Sequence, residues 1–107
     1  MRILLEARDA VGHGGMKVKL AFDAEGEQLR VTVVEPPIPG EATSAKYWYT
    51  RTGATRMLAV LRQIPVGEIV FPLWLFADRY EAPMQPVLMS QALRDIVVRR
   101  GEAWLGF

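Results

Sequence analysis

Aromatic, basic and hydroxyl side chains are concentrated between Thr43 and Arg56, in the stretch TSAKYWYTRTGATR. Tyrosine and tryptophan rings offer flat surfaces on which nucleobases stack, at about 1–3 kcal/mol per base, while lysine and arginine follow the phosphates. Single-stranded nucleic acid needs these residue types together. The segment therefore predicts a binding site for single-stranded DNA or RNA. Its candidate contacts are Lys46, Tyr47, Tyr49, Arg51 and Arg56.

These side chains divide between two faces if residues 46–51 form a strand, because successive side chains of a strand point in opposite directions. One face then carries Tyr47, Tyr49 and Arg51, and the other carries Lys46, Trp48 and Thr50. Trp48 has the largest apolar surface, so we expect Trp48 to face the core and both tyrosines to face solvent. In the alternative interpretation all three rings fill the core or an interface, and the bases reach around them into solvent.

A strand followed directly by a helix would place Thr52 and Gly53 at the helix N-terminus. Unpaired backbone N–H groups and the helix dipole favour an anion there. The predicted anion-binding residues are Thr52, Gly53 and Thr55, with Arg56 beside them. The spacing is not that of a P-loop, and one glycine is not a dinucleotide fingerprint. In the alternative interpretation Thr52 only caps the helix and Arg56 lies in solvent.

Groups suited to catalysis are few, since the chain has no cysteine and one histidine, His13. Without cysteine there are no disulfides, thiolate metal sites or thiol nucleophiles. His13 in a glycine-rich loop could serve as a base or help form an oxyanion site. Asp78 and Glu81, close together in the chain, could hold a hard divalent cation. A loop histidine and loop ion pairs explain the same residues. The sequence favours binding over catalysis, with no cofactor and no metal site.

The charge is distributed unevenly along the chain, although the 107 residues carry a net charge of only +1. Residues 1–41 have five bases and seven acids, and residues 68–107 have four bases and five acids. Residues 42–67 have four bases and no acid. All the excess positive charge therefore lies in the segment that contains the candidate contacts.

Hydrophobic periodicity predicts the elements that position this segment. Alternation of period two predicts an antiparallel hairpin over 16–22 and 29–33, with further strands over 2–8 and 45–51. Three prolines between 36 and 39 form an extended connector, because proline lacks the backbone donor of a strand ladder.

The second half of the chain is predicted to be richer in helix. Apolar residues at Ala54, Met57, Leu58, Leu61 and Ile64 lie on one stripe of a helix that Pro65 ends. A strand over 68–76 follows, in which Pro72 favours an edge or a bulge, and residues 78–86 form a loop. A second helix over 87–100 places Arg94 on its polar side and ends at Gly101, and residues 102–107 dock as a short strand or against a partner.

Together these elements predict one α+β domain over residues 1–107. It has a mostly antiparallel sheet of about five strands and two helices, in the order β-β-β-β-α-β-α. The longest apolar run, 69–77, is about half of the ~18 residues that indicate a membrane span, so we predict a cytoplasmic protein without a membrane partner.

Hydrophobic residues exceed what so small a domain is expected to bury. The stretches 69–76 and 104–107 contain five of the ten aromatic residues, and large exposed apolar patches mark contacts between subunits or with partners. The predicted interface residues are Phe71, Leu73, Trp74, Trp104 and Phe107. A homodimer is the simplest assembly, whereas a strand covered by both helices would explain the same residues in a monomer. The leading hypothesis is a small nucleic-acid-binding protein. The alternative is a homo-oligomeric interaction or assembly module.

Overall fold

A computed structural model describes residues 2–12, 15, 17–34, 44–65, 67–81 and 86–107. These residues form seven strands and two helices: β1 (Arg2–Val11), β2 (Lys17–Glu25), β3 (Gln28–Val34), β4 (Ser44–Tyr49), α1 (Arg51–Gln63), β5 (Ile69–Pro72), β6 (Arg79–Glu81), β7 (Pro86–Met89) and α2 (Gln91–Leu105). The predicted α+β class is confirmed. The sheet has two more strands than expected, because the predicted loop and the start of the predicted second helix form β6 and β7. The prolines of the predicted connector and His13 lie outside the described residues.

The seven strands form one curled sheet in the order β5-β7-β1-β2-β3-β4-β6, and every pair is antiparallel. The predicted hairpin is confirmed as β2 and β3. Its strands pair as far as Glu25 and Gln28, so only two residues make the turn. The first of them, Gly26, has a φ of +62°, which glycine adopts without steric cost.

One face of the sheet and the two helices enclose a single hydrophobic core. Alternate residues of β2, β3 and β4 supply the sheet side: Val18, Leu20, Phe22, Leu29, Val31, Val33, Ala45, Tyr47 and Tyr49. The outer face, away from the helices, carries the intervening residues, which include Lys19, Asp23, Arg30, Lys46 and Trp48. The strand alternation seen in the sequence therefore sets which residues reach the core.

Helix α1 carries the predicted apolar stripe, whose residues are buried except Ile64, which is half-buried. Its N-cap is Thr50 and not Thr52, because the Thr50 hydroxyl accepts a hydrogen bond from the N–H of Gly53 at 3.2 Å. The helix therefore begins at Arg51, and the strand expected to reach Arg51 ends at Tyr49.

Helix α2 runs through Gly101, where the sequence predicted its end. A Cβ atom at Gly101 would lie 2.5 Å from a methyl carbon of Leu58 in α1, so this glycine allows the two helices to approach closely. The helix ends instead at Gly106, whose φ of +89° is the left-handed conformation typical of a C-terminal cap. The predicted strand or docking segment over 102–107 is thus mostly the last turn of α2.

Strand β5 lies at one edge of the sheet, as Pro72 predicted. Pro72 pairs with Pro86 of β7. Neither proline has an N–H group, so this pair cannot exchange ladder hydrogen bonds. Because hydrogen-bonded and non-hydrogen-bonded pairs alternate in an antiparallel ladder, the backbone N–H and C=O of Val70, two residues away, also point away from β7. Because Pro72 offers no donor to a further strand, only a short part of this edge can extend the sheet.

Candidate functional site

Tyr47 and Tyr49 do not face solvent, so the predicted orientation of β4 is wrong. Both side chains are 0% exposed. Tyr47 pairs with Val31 and Tyr49 with Leu29, whose side chains point into the core. Opposite residues of paired strands share a face, so the register with β3 carries both tyrosines into the core. Neither ring is available for stacking on a base.

Trp48 lies on the outer face and is also covered, with 5% of its surface exposed. The guanidinium carbon of Arg79, its neighbour on β6, lies 3.9 Å from the ring centroid, a cation–π contact. Its neighbour on β3 is Arg30, which donates to both carboxylate oxygens of Asp23 at 3.1 and 3.0 Å. These hydrogen bonds raise the pKa of Arg30. Trp48 therefore packs in a row of outer-face side chains whose charged members, Arg30 and Arg79, already have partners within the sheet.

Lys46 is separated from the other predicted contacts. It lies on the outer face opposite Thr32 and Glu81, whereas Arg51 and Arg56 lie in α1 on the helical side. The five predicted nucleic-acid contacts therefore occupy three environments: the core, the outer face of the sheet and the start of α1. Only Arg51 and Arg56 are brought together.

Arg51 links the start of α1 to the end of α2. Its Nη2 donates to the backbone carbonyl of Leu105 at 2.5 Å, and its guanidinium carbon lies 5.3 Å from the ring centroid of Trp104. A positive charge at a helix C-terminus is stabilised by the helix dipole. Arg51 therefore has a structural role, since it joins the two helices through these contacts.

The predicted anion site at the start of α1 has fewer available donors than expected. The N–H of Gly53 is bound by Thr50, and the Thr55 hydroxyl donates to the carbonyl of Arg51 at 2.8 Å. A Cβ atom at Gly53 would lie 2.6 Å from the carbonyl oxygen of Phe76, so the backbone at Phe76 covers this glycine. Thr52 and Arg56 remain exposed, and anion binding there stays a prediction.

The two helices carry an excess of positive over negative charge. They contain six bases, all arginine, and two acids, Asp95 and Glu102. The helical layer therefore has a net charge of +4, and the other residues that the structure describes, with seven bases and eight acids, have −1. Guanidinium groups match the geometry of phosphate through paired hydrogen bonds. The excess of positive charge therefore lies on the helical side of the sheet.

Besides Arg51, four arginines on these helices are exposed, and we refer to them together as the arginine surface: Arg56, Arg62, Arg99 and Arg100. Arg62 is paired with Glu102 at 2.9 Å. The other three form no ion pair or hydrogen bond with any residue that the structure describes. No ion pair within the described part of the chain neutralises their charges.

Two depressions lie along the groove between α1 and α2, and Phe107 lines both of them. One, of about 410 Å³, is also lined by Arg51, Thr52, Thr55, Arg56 and Leu105. The other, of about 400 Å³, is also lined by Arg62, Asp95, Val98, Arg99, Glu102 and Ala103. We term the pair the inter-helix groove. It brings Thr52, Thr55 and Arg56 of the predicted site together with an exposed aromatic ring.

Arg62, Arg99 and Arg100 were not predicted as site residues. Arg99 and Arg100 are hidden in a segment that is net negative, because the acids of 68–81 outnumber its single base. Charges counted over each predicted helix, rather than over long segments, would have revealed them. Arg62 lies in the acid-free stretch, three turns beyond Arg51 on α1.

The predicted interface residues also lie in different environments. Phe71 and Leu73 are 1% and 0% exposed in the chain's own core, so neither can form an exposed contact surface. Trp74 and Trp104 are half-buried against that core, and Phe107 is exposed. The apolarity of 69–73 is therefore largely explained by burial within one chain.

Asp78 precedes the short strand β6, and Glu81 is the last residue of that strand. Within the described ranges, no three histidine, cysteine or carboxylate side chains are placed to hold a metal ion. In the same ranges neither helix is long and apolar enough to cross a membrane.

Comparison of the chain with protein-family profiles, with curated proteins and with solved structures found no match. The charge and shape of the helical side are therefore the observations that bear on function.

Proposed function

We propose that the protein binds nucleic acid through the phosphate backbone, on the arginine surface and the inter-helix groove. The observation that supports this proposal is the separation of charge between a helical layer of +4 and the other described residues, which sum to −1. Arginines that pair with no described residue attract polyanions, and release of the counterions that surround nucleic acid supplies most of the binding free energy. Of the predicted site, Arg51, Arg56, Thr52 and Thr55 belong to this surface and groove, whereas Lys46, Tyr47 and Tyr49 do not.

The helix pair offers a rigid support for such contacts. Arg51 of α1 bonds the end of α2, and Arg94 of α2 donates to the carbonyl of Ile64 at the end of α1, each at 2.5 Å. Gly101 brings the helices close at Leu58. A support that is ordered before binding loses less conformational entropy when the ligand arrives.

The experiment that tests the proposal compares two triple variants of equal net charge. In the first, Arg56, Arg99 and Arg100 are each replaced by Gln; in the control, Lys17, Lys19 and Lys46 on the sheet are replaced by Gln. Binding of a fluorescein-labelled oligonucleotide is followed by anisotropy at low salt. We expect the arginine variant to lose roughly tenfold or more in affinity and the control to lose much less. Equal losses, or no binding by the unmodified protein, would overturn the proposal.

A homodimer is a second proposal, favoured by the half-buried Trp74 and Trp104 and the exposed Phe107. Light scattering tests it directly: a dimeric mass that becomes monomeric in Phe107→Ser supports the dimer, and a monomeric mass at high protein concentration contradicts it. A cytoplasmic location likewise stays a prediction.

A further inference from the structure

Phe107 is 76% exposed, more than any other large apolar side chain in the described part of the molecule. Its backbone is nevertheless anchored, because its N–H donates to the carbonyl of Glu102 at 3.0 Å and the N–H of Gly106 donates to that of Ala103 at 3.2 Å. These two bonds close the C-terminal turn of α2. The ring therefore projects from a defined point on the helix end.

The surroundings of the ring complement the two parts of a nucleotide, its phosphate and its base. On one side lies the depression that contains Thr52, Thr55 and Arg56, and none of its described lining residues is Asp or Glu. On the other side Arg62 and Arg99 face Asp95 and Glu102. A phosphate is favoured on the first side, where Arg56 and two threonines line the depression without a described Asp or Glu, and the aromatic face between the two sides is suited to a base.

We infer that the ligand is single-stranded, and that the ring of Phe107 stacks on one of its bases while Arg56 and Thr52 contact the adjoining phosphate. This inference rests on the proposed function and adds to it the strandedness of the ligand and the residue that selects it. Bases of a duplex are stacked on each other and cannot cover the ring, whereas unpaired bases stack readily on aromatic side chains. Phe107 therefore replaces Tyr47 and Tyr49 as the stacking residue.

The experiment uses an oligonucleotide with 2-aminopurine at one position, whose fluorescence falls when the base stacks. Its single-stranded form and its duplex are titrated with the unmodified protein, with Phe107→Leu and with Phe107→Trp. Leucine keeps an apolar side chain without a flat ring. We expect Phe107→Leu to weaken single-strand binding roughly tenfold, to abolish the quenching and to leave duplex binding unchanged. Phe107→Trp keeps a flat aromatic ring and should retain both the single-strand affinity and the quenching.

Two failures are distinguishable. If single strand and duplex bind equally and Phe107→Leu changes neither affinity nor quenching, the stacking role is overturned while backbone binding by the arginine surface stands. If neither form binds at low salt, the proposed function itself fails. Because Phe107 is exposed, circular dichroism of both variants should show unchanged folding, which ties any loss of binding to the ring.

Discussion

The guanidinium of Arg94, in the first turns of α2, donates a hydrogen bond of 2.5 Å to the backbone carbonyl of Ile64 at the end of α1. Helical periodicity in the sequence placed Arg94 on the polar side of this helix, but the residue is buried. It also bonds Pro65 at 3.3 Å and Asp95. A carbonyl at a helix end has no partner within its own helix, so Arg94 supplies one.

Replacing Arg94 with Met should therefore destabilise the fold. Methionine keeps most of the apolar stem but leaves the carbonyls of Ile64 and Pro65 without this donor. Hydrogen bonds to charged groups contribute about 1.5–3 kcal/mol, and we expect a loss of that size in urea unfolding. The control, Arg99→Met, changes an exposed arginine of the same helix and should alter stability by no more than about 0.5 kcal/mol. Equal effects of the two substitutions would contradict the capping role.

Gly53→Ala tests the close contact between α1 and the turn before β6. Alanine favours a helix over glycine by up to about 1 kcal/mol, so a change judged from helix propensity alone would stabilise α1. Here the added Cβ would lie 2.6 Å from the carbonyl oxygen of Phe76, a backbone atom that cannot rotate away. We expect a net destabilisation of about 1–3 kcal/mol in chemical denaturation. Thr52→Ala, at the exposed neighbouring position, serves as control, and a more stable Gly53→Ala protein would refute the contact.

Tyr49 leads to a pH-dependent prediction. Its hydroxyl forms no hydrogen bond with any described residue, and burial, followed by the charge of Tyr47, raises its pKa. Below pH 10 the hydroxyl is neutral in both the folded and the unfolded chain. Above about pH 10 the Tyr49 hydroxyl ionises in the unfolded chain but not in the folded protein. The free energy of unfolding therefore falls as pH rises, by up to about 1.4 kcal/mol per pH unit.

Tyr49→Phe removes this group and should be at least as stable as the unmodified protein at neutral pH, because the buried hydroxyl lacks a protein partner. The stability advantage of Tyr49→Phe should grow between pH 10 and pH 11 in denaturant titrations. Tyr80→Phe, at an exposed tyrosine, is the control and should show no such growth. A constant difference between Tyr49→Phe and the unmodified protein across this interval would contradict the burial of the hydroxyl.

Glu102 restrains Arg62 by an ion pair of 2.9 Å at the edge of the inter-helix groove. Glu102→Gln should release this arginine for a phosphate and raise oligonucleotide affinity several-fold. The slope of log affinity against log salt should steepen by about 0.7, the value for one additional contact to a single strand. Glu68→Gln removes the same charge at a site outside the groove and controls for net charge. If both variants gain affinity equally, Arg62 does not contact the ligand.

Much of the fold follows from local patterns in the sequence. The β2–β3 hairpin and the stripe of α1 were predictable because alternation, a short polar turn and a single apolar face are encoded within about a dozen residues. Strands β6 and β7 were missed because each has only three or four residues and β7 begins at Pro86. The end of α2 was misplaced because Gly101 serves the approach to Leu58, a contact between residues 43 positions apart.

The candidate site was less predictable, for a similar reason. The aromatic run in β4 has rings on both faces, so its own pattern does not determine which ring enters the core. The pairing of Tyr47 with Val31 decides it, and a shift of one residue in that register would exchange the faces. The arginine surface depends on the packing of two helices that are distant in the chain, and no local motif indicates that packing.

The most direct test of the binding site is amide chemical-shift mapping with a short oligodeoxythymidine at low salt. We expect the perturbed amides to cluster at 51–56 and 99–107, along the inter-helix groove, and the β4 amides of Tyr47 and Tyr49 to remain unperturbed. Perturbations centred on the outer face of β2, β3 and β4, or none at saturating oligonucleotide, would contradict this binding site.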